Sequence, residues 1–473
     1  MLKSTATETF EHGIFSGDLD LRKAGLSRDE LYEKGKQRRK EVPRVSHAEW
    51  TRPKDRPDPV DTLVAANRGR QERLIPLRMG RMAASPFAFL RGAAAVMAWD
   101  LSKCPSIGHS VAMDGDAHLN NFGMYGTPER DLVFDLNDFD EATWGPWEWD
   151  LKRLVASVNV AARGNGMNRR DRRAAVLHCF RGYQANMKRL QAMNSLDIWY
   201  LHAFVDRNSP LTRLDPKGHA ILAQEVARAR ARTNATLLEK LCERRDAGWR
   251  FRTNPPIQTP VYGAARNKVI DGLNAYTPTL LRERKRLLSK YHVVDVTHHV
   301  VGVGSVGLRA YVVLLLGRQD NDPIFLQVKQ AAPAAAAPFL PELPDEFAHE
   351  GKRVVSAQRA IQASSDLLLG WTSIEGRPYY VRQMKNMKGG VLVDSMGVEE
   401  LGLYAFACGG LLARAHARNG EPALMVGYCG ASSVLGEALA DWAEAYADQN
   451  ASDHAAFVKA IKSGRIKAIT EPC

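Results

Sequence analysis

The texture of the chain changes near Val293, and that change limits what it can fold into. Residues 150–250 alternate apolar and basic positions without strand signals, which reads as a mainly helical lobe. Beyond residue 293 the segment 300–307 leads into Ala310–Leu316, a turn at 319–323 and an apolar run at 324–328. These are three strands joined by a glycine-rich turn and a tight turn. A loop rich in alanine and proline over 331–344 argues against packed structure there; a helix over about 346–363, a strand over 379–384 and a helix containing 411–417 follow. No internal repeat is present. A chain of 473 residues can bury a large core and is expected to divide into lobes. The boundaries read as a helical and linker segment over 1–60, a helical lobe over 61–290, a β-rich lobe over 291–390 and C-terminal helices over 391–473 that complete the helical lobe.

Composition excludes several classes. With 45% hydrophobic and 25% charged residues the chain is ordinary for a globular protein, and its longest apolar runs are too short to span a bilayer. The N-terminus shows no apolar signal-peptide core, so the cytoplasm is the expected compartment. Six cysteines (104, 179, 242, 408, 429 and 473) form no Cys-x-x-Cys pair, which speaks against a zinc site or a disulfide framework. The net charge of +12 gathers at 22–44 and 163–173. Without interleaved aromatics these runs read as solvated faces rather than a nucleic-acid platform.

The chemistry sits in Asp114-Gly115-Asp116-Ala117-His118-Leu119-Asn120-Asn121. An Asp followed five positions later by an Asn is the spacing of a kinase catalytic loop, where the Asp orients the attacking hydroxyl and the Asn holds a metal. A hairpin signature follows, with a turn at 126–130, and it places Asp138-Phe139-Asp140-Glu141 just past the second strand. Gly145 and Asp150-Leu151 come next. Downstream, Gly302-x-Gly304-x-x-Gly307 between strands suits a loop whose backbone N–H groups approach phosphates. Lys329 closes a strand of the type whose lysine meets the α- and β-phosphates.

The run Gly115–Asn121 resembles the Gly-Asp-x-His-x-x-Asn loop of the aminoglycoside phosphotransferase and choline kinase group, and Asp138, Gly145 and Asp150 reproduce that group's later intervals. The fuller stretch from Ser85 to Leu154 resembles the bacterial domain-of-unknown-function 2252 family, over about residues 70–460. The resemblance implies an α+β, protein-kinase-like fold with a small β-rich lobe over a larger, mainly helical one. Asp116 is then the base or hydroxyl-orienting group. Asn121 and Asp138 are the magnesium ligands, with Asp140 as a further one. Asp150 caps a helix and braces the loop, and His118 supports it by hydrogen bonding. Counting from Asn121 would favour Asp135 over Asp138; a longer hairpin turn accounts for the difference.

In ordinary kinases the glycine loop and lysine precede the catalytic loop, whereas here they follow it by about 200 residues. A circular permutation of the same two lobes explains this, with the strand at 379–385 as the hinge, Gln383 and Met384 facing the nucleotide, and the helix at 411–416 as the one that normally precedes the catalytic loop. The partner of Lys329 is open between Glu350 and Gln358. Trp144, Trp147 and Trp149 read as packing residues. The expected activity is ATP- and Mg²⁺-dependent phosphoryl transfer to a hydroxyl of a small molecule. No Ala-Pro-Glu segment follows Asp138, which disfavours a regulated protein kinase. The alternatives are a nucleotide-binding regulatory pseudokinase and, behind it, a basic nucleic-acid-binding protein.

Overall fold

The computed structural model describes residues 25–205, 216–245, 248–300, 302–319, 322–384 and 387–469. Parts of the sequence reading at 1–24, at the 319–323 turn, at Lys385 and at Cys473 lie outside the described residues. The strands, in chain order, are β1 (Ser110–Met113), β2 (Phe122–Gly126), β3 (Leu132–Leu136), β4 (Thr143–Pro146), β5 (Cys242–Arg245), β6 (Gly248–Phe251), β7 (Gln258–Pro260), β8 (His292–His299), β9 (Ala310–Leu316), β10 (Pro323–Gln330), β11 (Gly370–Ile374) and β12 (Arg377–Gln383).

Six of these strands form one antiparallel sheet in the order β11-β12-β10-β9-β8-β7. Both faces are covered, which is why β9 and β10 are buried almost throughout, with Gln327 and Lys329 as polar positions of β10. Ile324, Leu326 and Val328 face the helix Gly263–Tyr276, where they join Val269, Leu273 and Tyr276 in one cluster. The two-residue period sends Phe325, Gln327 and Lys329 to the opposite face. Cross-strand register puts Tyr380 beside Lys329 and Arg382 beside Gln327, so four polar side chains share that face.

The remainder is helical, interrupted by short β structure. The hairpin β2–β3 and the pair β1–β4 carry the motif segments. Four helices, Trp147–Gly164, Arg169–Leu190, Val398–Ala417 and Val434–Lys462, contact one another around the main core. The crossing of Arg169–Leu190 with Val398–Ala417 is close because Gly409 lies against the Cys179 carbonyl, where an added Cβ would collide. The helix Glu350–Ile361 packs on β11 and β12 and also on β1 and β4, joining the sheet to the motif segments. Among the described residues no single helix is long and apolar enough to cross a membrane.

The mixed α+β class agrees with the sequence reading, and several particulars differ from it. Strands β5, β6 and β7 lie in a stretch read as helical or as part of the helical lobe, and β11 was not expected. β7 and the helix Gly263–Tyr276 belong with the sheet, so the β-rich unit starts before residue 291. The alanine-rich segment is packed, with Ala331, Ala334 and Ala336 buried. The segment before residue 60 is tied into the body. Its helix Arg28–Glu41, with a Ser27–Glu30 capping box, packs against Pro422–Cys429. Arg56, within the proline-dotted stretch read as linker, is buried between Asp100 and Asp453.

That triad supplies a test of the architecture. Arg56 donates to both carboxylates through four hydrogen bonds, and Tyr446 OH adds one to Asp100. Arg56→Met leaves two carboxylates buried without their cation, and the expected loss of stability is about 3–5 kcal/mol. Denaturant unfolding is expected to show a lower midpoint at an unchanged slope.

Candidate active site

Gly115 fixes the shape of the first motif. Its φ is +74°, and an added Cβ would run into the Glu141 carbonyl, so only glycine brings the two segments together. The loop is then braced from several sides. Asp150, in the first turn of Trp147–Gly164, accepts from the Asp114 N–H at 2.7 Å and the Gly115 N–H at 2.9 Å. Ser157 accepts from the Leu119 N–H at 3.1 Å, and Tyr404 donates to the Leu119 carbonyl at 3.0 Å. Asn121 Nδ2 donates to the Asp116 carbonyl at 2.8 Å, leaving its amide oxygen as the remaining acceptor.

Asp116 lies against Arg153, which donates from Nε at 2.6 Å, with His118 Nε2 at 3.6 Å. Burial pushes the Asp116 carboxyl up to about 7; Arg153 opposes the shift, while Glu141 and Asp138 add to it. Burial, with Arg91 and Arg153 adding to it, holds His118 well below the usual histidine range, so it is neutral there. Two residues upstream, Asp114 is buried with neither carboxylate oxygen bonded. Burial, then Asp150, Asp116 and Asp138, push its pKa well up, so it favours the protonated acid.

The second motif meets the sheet. Asp140 forms an ion pair with Lys329 and accepts from Ser305 Oγ at 2.9 Å and Tyr380 OH at 2.8 Å. Burial works against both charges of the pair. Lys329 nevertheless holds Asp140 down to about 2, and Asp138 and Asp140 hold Lys329 above the ordinary lysine value. Asp138 stands 3.9 Å from Lys329 Nζ, and its Oδ1 is buried without a hydrogen bond. Asp135, the rival to Asp138, is turned inward to Arg414 and to the N–H groups of Leu136 and Ala363.

The glycine turn lies over this pair. Gly302 and Gly307 have φ of +68° and +93°. Arg81 donates to the Gly302 carbonyl at 2.6 Å, Arg70 to the Val306 carbonyl at 2.7 Å, and the Gln71 N–H to the Gly307 carbonyl at 2.8 Å. The turn is thus held from outside the sheet while Ser305 reaches Asp140. Below it opens a cavity of about 690 Å³ whose lining includes Gly302, Ser305, Lys329, Asp138, Gln383 and Met384.

The sequence-predicted residues therefore gather unequally. Gly302, Lys329, Asp138, Gln383 and Met384 share the cavity, with Asp116, Asn121, His118 and Asp150 forming the adjoining loop cluster. Gly304 lies toward Arg91, and Gly307 against Arg70. Four placements differ from expectation. His118 Nδ1 is buried without a hydrogen bond and Nε2 stands 3.6 Å from Asp116, so the ring packs under the loop instead of bracing it by hydrogen bonding. Asp140 is the partner of Lys329, so its oxygens are engaged rather than free for a metal. Glu350 pairs with Arg353 one turn along its helix, while Gln358 reaches the cavity. The N–H groups of Gln383 and Met384 are bonded to Asp366 and the Phe325 carbonyl. Trp144, Trp147 and Trp149 are buried packing residues. Sequence reasoning missed Arg153, although its i,i+3 spacing from Asp150 put it on the same helix face. Nothing in the sequence marked Tyr380 or Ser305.

For a divalent cation, Asp138 Oδ1 and the Asn121 amide oxygen fit a site that takes one or two protein oxygens plus phosphate. Among the described residues no group of three or more His, Cys, Asp and Glu could hold a metal.

The fold and cleft define an α+β protein with a cation, a glycine turn and several carboxylates converging on one cavity. Over residues 70–460 the chain matches the family described as an uncharacterized protein conserved in bacteria, DUF2252, and it belongs to that family. No curated protein and no solved structure matches it.

The carboxyl electrostatics give a direct test. Burial also pushes Glu148 up to about 7, so Asp116 and Glu148 are both expected to titrate near neutrality. In a carbon-13 carboxyl titration, Asp116→Asn removes one of them and leaves Glu148. Arg153→Met moves the Asp116 midpoint upward, because the cation that favours its charged form is gone.

Proposed function

We propose that this protein is an ATP- and Mg²⁺-dependent phosphotransferase acting on a hydroxyl of a small molecule, with a kinase-like, circularly permuted fold. One observation carries the reading: Lys329, the glycine turn and Asp138 surround one cavity although about 200 residues separate the two halves of the set. The local order supports it as well. The glycine turn joins β8 to β9, Lys329 stands on the next strand, and the helix Glu350–Ile361 follows, matching the kinase arrangement in which a third-strand lysine precedes a helix.

The cavity would hold the nucleotide, with its phosphates toward Lys329 and the glycine turn. Asn121 and Asp138 would hold Mg²⁺, which supplies charge neutralisation at the phosphates. The acceptor oxygen forms a bond to the terminal phosphorus, the bond to the bridging oxygen breaks, and ADP leaves. The hydroxyl proton passes to Asp116, whose carboxyl near 7 can accept it at neutral pH while Arg153 fixes its direction.

The regulatory pseudokinase reading has its own support. The helix offers Gln358 rather than a glutamate to the cavity, and two expected hinge N–H groups are bonded within the protein. The nucleic-acid reading loses ground. In the basic run at 163–173, Arg163, Arg172 and Arg173 pair with Glu437, Asp441, Glu444 and Asp448 of the Val434–Lys462 helix.

Three variants test the roles. Lys329→Met is expected to weaken ATP binding on the order of tenfold or more, as a charge-assisted phosphate contact is lost. Asp116→Asn keeps ATP and metal affinity but lowers turnover about 10²–10⁴-fold. Asp138→Asn loses metal affinity instead, read by Mn²⁺ titration. A wild-type protein that binds ATP and turns over no acceptor across a metabolite screen would favour the pseudokinase.

A further inference from the structure

Arg91 is the exception among the arginines around the loop. Its helix, Pro86–Gly92, is capped by Ser85 and anchored by buried Phe87, Phe89 and Leu90. The backbone on both sides is fixed by other arginines. Arg153 donates to the Leu90 carbonyl at 3.0 Å, and Arg78 to the Gly92 carbonyl at 2.7 Å. Arg78, Arg153, Arg353 and Arg414 all find partners. The Arg91 side chain makes no hydrogen bond or ion pair among the described residues, and its Nε is buried. A half-buried guanidinium with a shielded, unbonded Nε and terminal nitrogens open to solvent is placed to take up an anion from solution.

Its position names the anion. The Arg91 carbonyl lies 3.6 Å from where a Cβ on Gly304 would stand, at the middle glycine of the turn. Arg153, which bonds the neighbouring Leu90 carbonyl, also holds Asp116. The charge of Arg91 is felt by Asp116, Asp138 and Asp394 and weighs on His118. The backbone of Arg91 therefore lies beside the glycine turn, and its charge acts on the proposed base and the proposed metal ligand, between which a phosphoryl group would pass from donor to acceptor.

We propose that Arg91 is a phosphate-binding residue that holds the terminal phosphoryl group beside Asp116. This rests on the phosphotransferase reading for the identity of the donor. The planar guanidinium suits a phosphoryl oxygen pair better than an ammonium does. Arg91 would then discriminate ATP from ADP, a task that Lys329 does not perform alone.

The test compares Arg91→Met and Arg91→Lys with wild type by calorimetry, using Mg²⁺ with a non-hydrolysable ATP analogue and with ADP. Arg91→Met is expected to bind the ATP analogue on the order of ten- to a hundredfold more weakly while ADP affinity stays within about twofold. Arg91→Lys is expected to recover part of the loss. Equal weakening for both nucleotides, or none for either, overturns the proposal. Should wild type bind neither nucleotide, the phosphotransferase reading fails, and titration with inorganic phosphate decides this one. Phosphate binding that Arg91→Met abolishes supports the anion site; no binding, or binding that persists in the variant, overturns it. Thermal melting separates a structural role. Removing a half-buried cation without a partner is expected to leave the melting temperature unchanged or raised, and a marked fall overturns the assignment.

Discussion

The ion pair between Lys329 and Asp140 is the contact on which the cleft depends. It joins the third strand of the β8–β10 meander to the segment after β3, bridging parts of the chain nearly 200 residues apart. Burying an ammonium and a carboxylate costs several kcal/mol each, and their attraction offsets this only when the remaining polar atoms are satisfied. Here Ser305 and Tyr380 complete the carboxylate. Each comes from a different element, the glycine turn and β12, so one charged group fixes the relative placement of four segments. Truncating either member leaves the other charged and unmatched, which makes the pair a point of specification more than a source of net stability.

The same logic recurs around the motif loop, with polar groups doing the positioning that packing cannot. Asp150 holds two successive N–H groups, Arg153 holds Asp116, and Arg414 holds Asp135. His416 approaches Asp150 at 3.3 Å and Tyr183 at 2.9 Å, which extends the brace into the helical core. A loop fixed by charge-assisted hydrogen bonds keeps its carboxylates at set positions, whereas apolar contacts alone would let them slide. Among the described residues, Asp114 and Asp138 are the carboxylates left with unbonded buried oxygens. Asp114 is enclosed by the protein, so of the two it is Asp138, which lines the cavity, that a ligand can reach.

Local patterns made part of this legible in the sequence. The hairpin β2–β3 was readable because its turn residues and apolar runs are contiguous, and β8–β10 because glycine and Asp-Asn-Asp-Pro separate short apolar runs. The grouping of Asp116, Asn121 and Asp138 was legible as spacing. Partnerships were not. The choice of Asp140 over Glu350 depends on cross-strand register and on the tilt of one helix, which no periodicity encodes. β7 escaped because three residues beside a Pro-Pro pair carry too little pattern. Arg56 escaped because its partners lie at 100 and 453, and a charge in a proline-dotted stretch reads as solvated unless those partners are known.

Occupancy of Lys329 bears on how a nucleotide could enter. A phosphate that displaced Asp140 would have to compensate a buried carboxylate losing its cation. Two hydroxyl donors stay on that carboxylate, and Lys329 Nζ has three donors to distribute. Asp138, at 3.9 Å with a free buried oxygen, already shares the same cation without a direct bond. Sharing is therefore less costly than exchange. An incoming phosphate would be held by Lys329 while Asp140 remains in place, and the glycine turn tied to Asp140 through Ser305 would stay closed over it. In that arrangement the pair is compatible with phosphate binding, and its presence alone does not favour an inactive site over an active one.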